Sequence, residues 1–260
     1  MEKKYKLTEE TINVGDKTLH RIEALRDFGD VKKGDKGGFI ENEKNLSKSG
    51  DCWVYENAKV YGKARVFDKA KVRNEAKVLD DVVVFGNAKV FGNATIFGNA
   101  QIRCDAVVCE DAKIYGNVWV YDNAIICGKA KVFGNAEVYN NARVYGNAQV
   151  CGYARIYGKA QVRDDAEVYG DAVVCGNVLV SDKAKISNNA IVFGNAQVCG
   201  YAWVYDKAKV YDNAQVCGNA MVYGNTEVYD NAKVFEEAKI CGNAKVGGDA
   251  RVYGKAKICG

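Results

Sequence analysis

Three sets of residues in this 260-residue chain have types and spacings suited to chemistry. The first is His20, the one histidine. An imidazole is the usual general base for acyl transfer near neutral pH. The second is the cysteines, of which the pairs Cys109 and Cys127, Cys199 and Cys217, and Cys241 and Cys259 each lie 18 residues apart. Zinc knuckles and ribbons use close cysteine pairs, so no metal is expected. The third is a set of lysines alternating with aromatic residues, including Lys113, Tyr115, Lys131 and Phe133. That pattern can hold an anionic partner, single-stranded nucleic acid among them.

What must position these residues is a repeat. From Val54 to Ile258 a valine or isoleucine recurs every sixth residue without insertion, in 35 units. Four residues after it comes a small side chain, alanine in 30 of 34 complete units. A turn pair such as Gly92-Asn93 or Asp122-Asn123 separates the two. In Ala88-Lys89-Val90-Phe91 a strand sends Ala and Val to one side and Lys and Phe to the other. Glycine and asparagine tolerate positive φ, which predicts a chain reversal at both turn positions. So short a strand cannot bury its Ala/Val face alone, and stacking of coils is required. Valine with alanine fills only a narrow interior. A triangular coil of three six-residue sides fits, giving about 12 coils at ~4.8 Å and a rod of roughly 55 Å.

Residues 18 apart then share a face. The position after each Val/Ile is aromatic in 20 of 35 units and cysteine in eight, which predicts a large exposed aromatic surface. Stacked ladders that stabilise the strands, or a binding surface, both account for it. An aromatic face carries Tyr121, Tyr139, Tyr157, Phe193, Tyr211 and Tyr229, flanked by Val83, Trp119, Val173 and Ile191. It is the most apolar and is the expected site of self-association. A lysine face carries Lys59, Lys77, Lys113, Lys131, Lys185, Lys239 and Lys257, with Glu167 the one acid of that row. Tyr61, Phe97, Tyr115, Phe133, Tyr169, Tyr205 and Tyr223 run beside them. The remaining face has Arg73, Arg143, Arg163 and Lys233. Acids concentrate at the turns, as at Asp68 and Asp206. Lysines on a flat β-surface also serve to block edge aggregation.

Residues 1–50 lack the hexapeptide pattern. Thr11 to Leu19 reads as a hairpin around Gly15-Asp16, and Phe39, Ile40 and Leu46 as an irregular first coil. Together they are expected to cap the N-terminal end, with residues 51–260 forming the solenoid. The end at Ile258-Cys259-Gly260 has no such cap, and end-to-end pairing of its last coil is a second expected route to self-association. Leu19 to Gly29, Gly37 to Glu41 and Cys52 to Tyr55, with the hexapeptide units, resemble the YdcK-like hexapeptide proteins of bacteria and phages. The units themselves are similar to those of left-handed β-helix proteins, many of them acyltransferases. The resemblance implies an all-β, single-stranded left-handed parallel β-helix and a phage-related setting. It implies no particular activity.

The chain has 37 basic and 33 acidic residues, too even a balance to imply nucleic acid by itself. Its start, Met1 to Lys6, lacks the apolar core of a signal peptide, and no apolar run approaches the ~20 residues of a membrane helix. A cytoplasmic protein with reduced thiols and no membrane contact is expected. Coil neighbours ~4.8 Å apart nonetheless fall within disulfide range. Acyltransferases of this kind use a histidine and loops that leave the coil. Here His20 precedes the repeats and no unit carries an insertion. The reading is therefore a non-catalytic scaffold or interaction protein with no cofactor, binding a protein or itself through its flat faces. One version implied by the resemblance docks on a host or defence protein. The alternative is an atypical acyltransferase with its site near His20 or at a subunit interface.

Overall fold

A computed structural model describes residues 3–260. Strands and turns account for its regular structure, with no helix among the described residues. The chain divides into two compact units, one ending at Gly128 and the other spanning Lys129–Gly260. Each is a parallel β-solenoid built from three sheets.

In the first unit the sheets continue from a cap. Strand β1 (Tyr5–Val14) and strand β2 (Lys17–Ala24) form an antiparallel hairpin closed by Gly15, with φ 62°, and Asp16. Strand β3 (Lys36–Ile40) pairs antiparallel with β2 and parallel with Lys59–Val60, so the hairpin extends the sheet of the lysine face. Phe39 and Ile40 lie on that face, Leu46 bridges to Val66 on the aromatic face, and Trp53–Val54 pairs with Lys71–Val72 on the third. These segments close an irregular first coil, as the sequence predicts. Trp53 is buried beneath the rings of Tyr5 and Phe28, at centroid distances of 6.1 and 5.3 Å. Beside it the buried Lys4 ammonium donates to the Cys52 carbonyl at 2.6 Å. Burial lowers the Lys4 pKa and raises that of Cys52.

Asp30 ties the cap to the regular coils. Its carboxylate accepts from the Tyr55 hydroxyl at 2.6 Å, the Lys71 ammonium at 2.8 Å and the Arg73 guanidinium at 3.0 Å. Partial burial opposes ionisation, but the Lys71 and Tyr55 hydrogen bonds outweigh it and hold the pKa at about 2.

In both units the Val/Ile and Ala columns form the core. Ile102 and Ala106, like Ile156 and Ala160, have no exposed surface. Each coil donates its N–H groups to carbonyls of the next, as in Lys71 to Ala88 and Arg155 to Ala172, both at 2.9 Å. Two expectations change. Most strands span only two residues, such as Lys89–Val90, because the chain begins to turn at the aromatic position. Only the first turn residue is left-handed: every sixth residue from Glu56 to Gly254 has φ between 54° and 89°. The second turn residue has ordinary backbone geometry, so asparagine is not there for positive φ.

It is there for the ladder. Asn177, Asn195 and Asn213 donate to the side chains of Asn195, Asn213 and Asn231 at 3.0 to 3.2 Å, and Asn231 donates to Asp249 at 3.2 Å. The first turn position has its own column. Asp68 accepts the N–H of Gly86 at 3.2 Å, Glu110 that of Gly128 at 2.8 Å and Glu236 that of Gly254 at 2.8 Å. The acids of the edges therefore satisfy backbone donors that no strand can pair.

Candidate interaction surface

The register puts the aromatic position of each face in a column, and the rings stack. In the first unit Phe67 stacks on Phe85, and Phe97 on Tyr115, both at 5.0 Å. In the second, Tyr139 stacks on Tyr157 and Phe193 on Tyr211 at 4.8 Å, and Tyr211 on Tyr229 at 5.4 Å. Stacking and the short strand leave Tyr115, Tyr121, Phe133, Tyr139, Tyr157, Tyr211 and Tyr229 half-buried. The large exposed aromatic surface expected from the sequence is thus corrected: each ring covers its neighbour and presents mainly an edge. The freely exposed aromatics are Trp119 at 40 % and three tyrosines, Tyr153, Tyr201 and Tyr253, at 60 % or more. Tyr153 and Tyr201 replace the usual asparagine at the second turn position; among the described residues no ring stacks on either, and the Lys183 ammonium lies 5.2 Å from the Tyr201 ring.

On the aromatic face of the first unit, Trp119 is exposed while Arg103 lies 5.4 Å from its ring and 4.7 Å from that of Tyr121. On the same face of the second unit the outward row reads Glu137, Arg155, Val173, Ile191, Lys209, Glu227 and Lys245, joined by strand register. Val173 and Ile191 are thus stacked apolar side chains pointing to solvent, half-buried, with charges on both sides. Beside them run Tyr157, Cys175, Phe193 and Tyr211. The Tyr157 pKa is pushed up to about 12, chiefly by its hydrogen bond with Cys175 and by burial, so the phenol stays neutral. Tyr211 donates to Glu227 at 3.4 Å, and burial together with that carboxylate raises its pKa.

The lysine face is less basic than its sequence suggests. In the first unit Lys59, Lys77, Thr95 and Lys113 stand in register, but Lys59 is drawn to Glu75 at 3.3 Å. In the second unit Gln149 and Glu167 separate Lys131 from Lys185, and Trp203 and Met221 separate Lys185 from Lys239. Lys185 is bound to Glu167 at 3.0 Å. Lys113 and Lys131 are exposed, yet neither belongs to an unbroken cationic strip. The sequence rows, read without their intervening residues, concealed these breaks.

The thiols also differ from expectation. Cys199 is disulfide-bonded to Cys217, and Cys241 to Cys259, across Cα separations of 4.6 and 4.5 Å. The register alone brings each pair within reach. Cys109 and Cys127 stack as predicted but remain thiols, and their mutual hydrogen bond, then burial, raises the Cys109 pKa.

His20 is half-buried on β2, with Nδ1 3.3 Å from the Thr8 carbonyl oxygen. The cap also has an open cavity of about 1260 Å³, and His20 is not among the residues that line it. Sequence reading missed this cavity, because Lys3 and Arg26 lie far in the chain from the Lys44–Lys48 segment and the four share no period. Glu43 is its one acid, paired with Lys48 and, at 4.0 Å, with Lys3.

Residues 136–152, 184–200 and 214–230 match the family model of the YdcK β-solenoid repeat. These stretches are similar to YdcK β-solenoid repeats, and they lie within the parallel β-solenoid. All three matched stretches fall in the second unit and contain the run Ala-Gln-Val-Cys-Gly, which ends the stretches at Gly152 and Gly200 and opens the third at Ala214. No curated protein matches this YdcK-like chain. No helix of the structure is long and apolar enough to cross a membrane.

Proposed function

We propose that this YdcK-like solenoid is a non-catalytic interaction protein that binds protein through the aromatic face of its second unit. The observation that carries the reading is the outward stack of Val173 on Ile191, bordered by Phe193 and by charged residues. Apolar side chains ringed by charge on a flat sheet suit protein contact. A pull-down from bacterial lysate under reducing conditions, with and without nuclease, tests it. A stoichiometric protein that survives nuclease and is lost with Ile191→Asp supports the reading. Capture abolished by nuclease and by Lys113→Glu moves the site to the lysine face and to nucleic acid. The resemblance to proteins of bacteria and phages makes host and defence proteins the first partners to examine.

The cationic cavity favours a second reading, a site for a phosphate-bearing ligand such as an acyl-coenzyme A on the cap. Calorimetry with acetyl-coenzyme A, repeated with Lys44→Glu, tests it. Micromolar binding that the variant abolishes would revive the acyltransferase alternative, and His20→Gln would then test a base.

A further inference from the structure

The outward row of the second unit has an order that becomes meaningful when reversed. From Glu137 to Lys245 the charges read acid, base, apolar, apolar, base, acid, base. Turned end for end about Ile191, the row sets Glu137 against Lys245, Arg155 against Glu227 and Val173 against Lys209. Every pair of charged residues is then of opposite sign. We propose that the occupant of this face is a second copy of the same chain, packed face to face about a two-fold axis through Ile191. This rests on the aromatic face being a docking surface and names its partner.

The axis must run along the strands. Such a rotation keeps position along the strand and reverses the stacking order, so the charged row meets the charged row and the aromatic row meets the aromatic row. Two β-faces pack ~10 Å apart, a gap that Arg–Glu and Lys–Glu pairs span. Ile191 meets its own copy at the centre. Each Lys209 lays its methylene stem over the other copy's Val173. On the neighbouring row Phe193 meets Phe193, and Tyr157 meets Tyr229.

Other registers fail on charge. An axis midway between Val173 and Ile191 opposes Arg155 to Lys209 and Glu137 to Glu227. One midway between Ile191 and Lys209 opposes Arg155 to Lys245. An axis along the stack instead reverses the strands and brings charges over rings. Among the described residues, neither Glu137 nor Arg155 has an ion-pair partner within the chain, so both are available. Seven strands at ~4.8 Å, about 13 Å across, give on the order of 800 Å² buried in total, below the ~1,200 Å² where stable specific interfaces begin and in the range of weak, transient ones. A weak, salt-sensitive dimer is the consequence.

Sedimentation equilibrium of the full chain with reductant, up to about 200 μM, tests the register. The wild type is expected to dimerise with a micromolar Kd. Glu137→Lys and Lys245→Glu should each raise Kd at least about tenfold, and the double swap should return it to near wild type. A monomeric wild type, or a double variant no better than the singles, overturns the proposal. If the monomeric wild type still captures a protein that Ile191→Asp loses, the self-pairing falls while the docking face stands. If it captures none, both fall.

Discussion

The carboxylate of Asp182 accepts the backbone N–H of Gly200, one coil on, at 2.9 Å, while the N–H of Asp182 donates to Asp164 at 3.3 Å. The edge acids are thus links in a backbone-satisfying column. Asp182→Ala removes the acceptor and places a β-carbon residue without a local hydrogen bond at φ 58°. A loss of about 1–2 kcal/mol in urea unfolding is expected. Asp182→Asn keeps an acceptor and tolerates the left-handed region, so it should cost less than half as much.

The core columns tolerate neither loss nor gain of volume. Ile156 and Ala160 are wholly buried. Ile156→Ala should destabilise by about 2–5 kcal/mol through the cavity it leaves. Ala160→Leu should cost about 1–3 kcal/mol or more by overpacking, because coils stacked at fixed hydrogen-bond spacing cannot spread locally. Denaturant midpoints measure both.

Thr226 occupies an alanine position, fully buried, and its hydroxyl has no hydrogen-bond partner. Thr226→Val is nearly isosteric and removes the unsatisfied group. It should stabilise the second unit by about 1 kcal/mol, seen as a raised Tm. An unchanged or lowered Tm would mean that the hydroxyl is satisfied in solution.

The Asp30 tie sets an acid limit on the cap. Its folded pKa of about 2 lies below the ordinary 3.8, so its stabilisation is complete above the unfolded value and is lost as pH falls through the folded one. Hydrogen exchange at the Phe28–Val31 bridge should be protected at pH 5 and should loosen between about pH 4 and 2. Asp30→Asn should make the bridge exchange faster at pH 5 and flatten its response in that window.

The six-residue period, the inward Val/Ile and Ala columns and the 18-residue register follow from the sequence. Each rests on one local rule repeated: alternate residues of a strand face opposite ways, and a left-handed residue then turns the chain. The hairpin at Gly15-Asp16 and the coil made by Phe39, Ile40 and Leu46 were legible for the same reason. The exposure of the aromatic column was not. Alternation says that Tyr139 and Tyr157 point outward, but only the stacked coils bring their rings to 4.8 Å and cover each with the next. Nor does a list of lysines show that Glu75 captures Lys59 or that Glu167 captures Lys185. The Asp30 tie to Lys71, 41 residues away, and the cationic cavity of the cap obey no period at all. Repetition is a short-range property that a sequence carries on its face. Contacts between an aperiodic cap and the coils, and the burial of one coil's side chains by the next, exist only once the chain has closed on itself.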